Sequence, residues 1–165
     1  MIVVSDSSPL ITLARIGRLA LLADLFDKIL VPSAVYDEVT VAGRGRPGAE
    51  ESRRASWIES TKVDLAEHPE VARLCGGLGA GEAEAIALAA SLRADLLLVD
   101  ERKARNVAQS VGLALAGTIG LLEAGYRRGA VDDLRRAYVA LLRQGIRVEL
   151  KMLQNSLSRF GLPHL

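Results

Sequence analysis

Four carboxylic acids, Asp6, Glu38, Glu82 and Asp100, stand where alternating strands and helices could gather them. Asp6 follows the apolar run IVV and opens the turn SDSSP, and Asp100 ends ADLLLVD (94–100). That second run is apolar throughout, like the central strand of a parallel sheet. Parallel α/β sheets bind ligands in the crevice beyond the carboxyl ends of their strands, so acids at two such ends can face one crevice. Glu38 lies in SAVYDEVT, four residues after Ala34 and near the inner side of a helix, whereas Asp37 points away. Glu82 opens the helical stretch GEAEAIALAA, directly after the glycines of CGGLGAG. Carboxylates brought together repel and hold their protons more tightly unless cations neutralise them. An all-oxygen ligand set selects hard ions such as Mg²⁺ or Mn²⁺. Each acid also has an ordinary structural use. Asp6 could cap the helix that follows it, Glu38 could be a solvated helix residue, and Glu82 or Glu101 could stabilise the free N–H groups of a first helical turn.

The elements that must position these acids are legible from apolar spacing. Residues 2–4 read as a buried strand, followed by a helix with Ser8 as N-cap and Pro9 as its first residue. A second helical patch carries Leu19, Leu22, Leu25 and Phe26, and KILV (28–31) reads as the next strand, stopped by Pro32. Ser33 could cap a helix through Thr40, and AGRGRPGAEE (42–51) reads as a flexible, locally basic loop. A helix at 49–56, a weak strand at 57–63 and a short helix after His68-Pro69 precede the alanine-rich helix 82–92. The strand 94–100 then leads to a helix at 101–110, a short strand at 113–116, and helices over 118–128, 131–143 and 148–159. Strands alternating with helices predict a three-layer α/β domain. The last helix is amphipathic and suited to packing on the domain or on a partner.

The totals narrow the class. A chain of 165 residues, 50% hydrophobic and 25% charged, can bury a core and is not a disordered tail. The net charge of +1 says nothing about partners, so only local clusters can. One cysteine, Cys75, allows no intrachain disulfide and no cysteine-rich zinc site. No basic segment precedes the apolar start, so it does not read as a signal peptide. The uncharged run from Asn106 to Leu122 contains Asn, Gln, Ser and three glycines and does not read as a membrane span. A cytoplasmic protein with no membrane contact is the expectation.

The segments SDSSPLITLARIG, VPSAVYDEV, LGAGEAEAIALA and ADLLLVDERKAR followed by GTIGLL resemble those of a PIN-domain nuclease, in particular the VapC-like toxins of prokaryotic toxin–antitoxin systems. The resemblance covers about residues 1–145. It implies an α/β/α PIN-like nuclease domain over 1–145, with a central mainly parallel sheet flanked by helices, and 146–165 as a C-terminal helical extension of the same domain. Asp6, Ser7 and Ser8 match the family's acid and following hydroxyls, and Glu38 its second acid. The third opens a helix some eighteen residues before the fourth, which assigns it to Glu82, eighteen before Asp100, rather than Glu84. Many relatives have Asp at the third position, and the fourth-strand motif is often T-x-D; here the residues are Glu82 and LVDERKAR. The resemblance implies endoribonuclease activity, with Asp6, Glu38, Glu82 and Asp100 holding Mg²⁺ or Mn²⁺ and Glu101 a further ligand. It also implies a cognate antitoxin that covers the site, and a homodimer whose face could include Leu19, Leu22, Leu25 and Phe26, although these four read equally as ordinary core.

Ser7 or Ser8 could orient a carboxylate or bond a phosphate oxygen. Around so anionic a site an RNA substrate needs basic residues at the border, and Arg44, Arg46, Arg102, Lys103 and Arg105 stand at suitable places, although each also reads as a solvated surface charge. Only two histidines, His68 and His164, exist, and neither is near a strand end, which disfavours a histidine-pair ribonuclease. A phosphohydrolase with Asp6 as nucleophile usually wants D-x-D, and Ser8 occupies the second position. Neither phosphate-loop nor G-x-S-x-G signatures occur. The other alternative is a catalytically idle α/β module that binds nucleic acid or a protein.

Overall fold

The computed structural model describes residues 1–165. Its sheet has five strands: β1 (Val3–Ser5), β2 (Ile29–Pro32), β3 (Ile58–Thr61), β4 (Leu96–Leu98) and β5 (Leu115–Ala116). All pairings are parallel and the order is β3-β2-β1-β4-β5. The chain builds outward from β1 on one side, then crosses to begin again on the other, so the topological switch point lies between β1 and β4. The register there pairs Ser5 with Leu98, and the Asp6 N–H continues the ladder to the Leu98 carbonyl at 2.9 Å. Asp6 and Asp100 therefore leave the same edge of the sheet on adjacent strands.

Ten α-helices complete the chain: α1 (Ser7–Arg15), α2 (Leu21–Leu25), α3 (Ser33–Asp37), α4 (Ala49–Arg54), α5 (Pro69–Leu74), α6 (Ala80–Ser91), α7 (Arg102–Ser110), α8 (Thr118–Arg127), α9 (Leu134–Arg143) and α10 (Leu150–Arg159). Alternate strand residues feed opposite faces. Val3, Ile29, Val31 and Leu98 enter the larger core with α1, α2, α8, α9 and α10, whereas Val4, Leu97 and Val99 enter the smaller core with α6 and α7. The three-layer α/β/α arrangement read from the sequence is thus present, with a sheet that is wholly parallel.

Local differences have physical reasons. The ladder bond holds Asp6 extended (φ −76°, ψ 170°), so α1 starts at Ser7 with Asp6 in the N-cap position, not Ser8. Pro9 falls third in the helix, where a missing N–H still costs nothing. After Asp37 the helix continues as a π turn, Glu38–Ala42, in which the Thr40 hydroxyl donates to the Tyr36 carbonyl at 2.7 Å. Such side-chain competition for helix carbonyls accompanies bends and π bulges.

Of the two readings of Leu19, Leu22, Leu25 and Phe26, ordinary core holds and the dimer face does not. Leu19, Leu22 and Leu25 are only 1%, 0% and 8% exposed, and Phe26 packs against the same core. Their neighbour Leu21 packs tightly on α8, where a Cβ at Gly125 would fall 2.6 Å from its Cδ1. Leu153 and Leu157 bury α10 against the domain. No helix is long and apolar enough to cross a membrane.

Candidate active site at the switch point

Asp6 sits at the centre of the carboxyl edge and is 1% exposed. Its Oδ2 receives the Ser8 hydroxyl at 3.4 Å, and its Oδ1 has no hydrogen-bond partner. Burial pushes its pKa from 3.8 to about 6, with further upward contributions from the charges of Glu82 and Glu38. The Ser7 and Ser8 amides oppose this, but neither meets Oδ1 as a donor. A buried carboxylate oxygen without a donor is an energetic debit that a proton or a cation would remove.

Glu38 and Glu82 come from two elements that meet over Asp6. Glu38 lies on the π turn after β2, and its head is turned toward the N-terminus of α6. The marker is Gly81: a Cβ there would lie 3.2 Å from Glu38 Oε2 and 3.8 Å from Asp6 Oδ1. Two carboxylate oxygens from separate elements thus converge on a space kept open by the absence of a side chain. Glu82 closes a capping box, its Oε2 accepting the Gly79 N–H at 3.1 Å. Its charge still reaches Asp6 and, with burial, pushes the Cys75 thiol up, so that cysteine remains protonated.

Asp100 is held differently. Its Oδ1 accepts the Thr118 N–H and its Oδ2 the Thr118 hydroxyl, both at 2.7 Å, which ties β4 to the N-terminus of α8. Gly117 permits this, since a Cβ there would stand 2.8 Å from Asp100 Oδ1 and 3.3 Å from Arg105 Nη1. Arg105 donates to the Val99 carbonyl at 2.8 Å, which fixes its guanidinium beside the Asp100 carboxylate. Glu101 caps α7 by accepting the Ala104 N–H at 2.8 Å, the ordinary structural use of an acid there. Arg44, Arg46, Arg102 and Lys103 are exposed, and Ser7 is buried.

As the side chains stand, no three acids, histidines or cysteines are close enough together to hold one metal ion. The donor chemistry nevertheless fits a hard cation, because Asp6 presents a buried, unpartnered oxygen toward Glu38 and every available ligand is a carboxylate or hydroxyl. Sequence reasoning did not find Gly81, Gly117 or Thr118. Their only local signal was position: a glycine just before Glu82, and G-T just after a short strand.

Acidic residues at the switch point of a wholly parallel α/β/α sheet place a candidate site where such folds bind their ligands. A family model described as PIN domain matches residues 2–162, and the chain belongs to that family. PIN domains are in general nucleases, and those nucleases typically use divalent metals. No curated protein matches the chain.

Proposed function

We propose that the protein is a metal-dependent endoribonuclease of the VapC-like toxin branch, with Asp6, Glu38, Glu82 and Asp100 as its ligand set and Glu101 at the margin. The carrying observation is the Asp6 carboxylate, buried, unpartnered at Oδ1 and facing Glu38 across Gly81. Mg²⁺ or Mn²⁺ bound there would neutralise the carboxylates, lower the pKa of water and offset charge on the phosphate under attack. Asp6 and Glu38, whose carboxylate oxygens both lie near Gly81, would be its first ligands, and the Ser8 hydroxyl orients Asp6. Arg105, held by the Val99 carbonyl, presents positive charge to the substrate phosphate without an ordering cost at the moment of binding. Arg44, Arg46, Arg102 and Lys103 are exposed and, on this reading, would hold phosphates without reading sequence. A cognate antitoxin covering the crevice and a homodimer belong to the same reading.

A second reading is a module that binds nucleic acid or protein without turnover. One observation favours it: Glu82, Asp100 and Glu101 all accept hydrogen bonds at helix N-termini as they stand. The two readings separate in one assay, in which purified protein is incubated with single-stranded and structured RNA in Mg²⁺, Mn²⁺ or EDTA. Cleavage that needs the metal and is lost in Asp6→Asn and Asp100→Asn supports the nuclease. Cleavage that survives EDTA and both substitutions sinks it, and salt-sensitive binding without cleavage establishes the second reading. Growth arrest on expression, relieved by the product of an adjacent gene, would support the toxin assignment.

A further inference from the structure

A depression of about 260 Å³ lies between the C-terminal end of α1 and one face of α9. Arg15, Arg136 and Arg143 line it, with Ile16, Val139 and Ala140 between them, and no acid does. The molecule's ion pairs, Lys28–Glu59, Arg53–Glu50 and Arg159–Glu123, include none of the three arginines. Arg15 donates to the Gln144 carbonyl, which anchors its guanidinium at the rim. Arg15 and Arg143 occupy the last turns of their helices, where the helix dipole alone welcomes a cation. Arg136 stands three residues after the N-cap acid Asp133, whose Oδ1 accepts its N–H at 2.9 Å. It lies in the first turn of α9, where that carboxylate offsets the dipole, and seven residues before Arg143, so both arginines share one face.

We propose that this depression binds a backbone phosphate of the RNA strand that the acidic crevice engages, a few nucleotides from the reacting bond. The inference rests on the nuclease reading above. Helix α1 joins the two places: it begins beside Asp6 and ends at Arg15, about 14 Å away at 1.5 Å per residue. Ser7, Pro9, Leu10, Leu13 and Ala14 are buried, so the surface of α1 is a single stripe through Ser8, Ile11, Thr12 and Arg15. A strand leaving Asp6 along that stripe meets two hydroxyls and then three guanidiniums. Planar guanidinium forks match phosphate oxygens, and the set needs no base contact, as suits a register-holding site. Continuity with the crevice favours a nucleic-acid phosphate over the carboxylates of an acidic protein.

The test compares wild type with Arg136→Gln/Arg143→Gln, leaving Arg15 and its tie to Gln144 intact. Binding is measured in EDTA, where no cleavage is expected, with a fluorescent single-stranded RNA of about 12 nucleotides and with a trinucleotide, over a salt series. The longer RNA is expected to lose about tenfold in affinity at low salt, and its log–log salt slope to fall by about 0.7, the increment for one phosphate on a single strand. The trinucleotide and the melting temperature stay unchanged. Unaltered affinity and slope for the longer RNA overturn the site. Selective loss of a polyglutamate peptide instead also overturns it, in favour of an acidic protein partner. RNA bound through these arginines but never cleaved in Mg²⁺ refutes the nuclease reading and leaves the site standing; an active nuclease with unchanged binding does the reverse.

Discussion

Asp6 is asked to be buried and charged at once, and its chemistry follows from that conflict. Its folded pKa of about 6 lies above the 3.8 of a free carboxyl, so the fold prefers the protonated acid. That preference contributes stability in full below the unfolded value and is lost as pH rises through about 6. The difference between the two values corresponds to about 3 kcal/mol. In EDTA, Asp6→Asn should therefore gain about 2–3 kcal/mol on wild type between pH 4 and pH 7, read from urea unfolding at each pH. A stability difference that stays flat with pH would show that the carboxylate is solvated or paired. Gly81 makes a second prediction. Alanine is the better helix former, by up to ~1 kcal/mol, but its Cβ would stand 3.2 Å from Glu38 Oε2. The new Cβ would also stand 3.3 Å from the buried Val35 Cγ2, which offsets the propensity gain, so Gly81→Ala should change the melting temperature little while weakening Mn²⁺ binding by about tenfold in calorimetry, an expected cost of roughly 1.4 kcal/mol.

At the scale of elements, the helix ends carry much of the site's geometry. The Asp100–Thr118 pair fixes where β4 hands over to α8, and Thr118→Val removes the hydroxyl donor while keeping shape and N–H. It should cost about 1–3 kcal/mol and loosen Asp100, which hydrogen exchange at the start of α8 would register as lost protection. The far end of α6 offers a control remote from that chemistry. There Arg93 adopts φ +50°, with the Ala94 N–H returning to the Ala89 carbonyl at 2.9 Å. That closing turn favours glycine. Arg93→Gly should raise stability by about 0.5–1 kcal/mol without altering nucleic-acid binding or metal affinity.

At the scale of the molecule, the C-terminal helices are knit by a buried polar chain. The Tyr138 hydroxyl meets Ser156 Oγ at 2.5 Å, Ser156 donates to Glu123 at 2.6 Å, and Arg159 covers Glu123. The group spans α8, α9 and α10, so one deletion strands several partners. Ser156→Ala should cost about 2–3 kcal/mol and lower the thermal midpoint of the whole domain in one transition, as followed by circular dichroism and calorimetry together. A separate early transition for the C-terminal region would show that α10 is an appendage.

Much of this could be read along the chain. The apolar runs at residues 2–4 and 94–100 announced strands, the alanine-rich stretch after Glu82 announced α6, and the order of Asp6, Glu38, Glu82 and Asp100 resembles that of a PIN domain. These are local facts, carried by periodicity and by residues a few positions apart. What the chain left open depends on which strands become neighbours. Setting β1 between β2 and β4 brings Gly81 against Glu38, puts Gly117 and Thr118 on Asp100, and drives Leu19, Leu22 and Leu25 into the core rather than onto a partner. The same packing leaves Asp6 Oδ1 without a donor and gathers Arg15 with Arg136 and Arg143. Residue types and spacing determined what chemistry was available. Only the tertiary fold decided which charges were buried, which were paired with helix ends, and which were left facing one another.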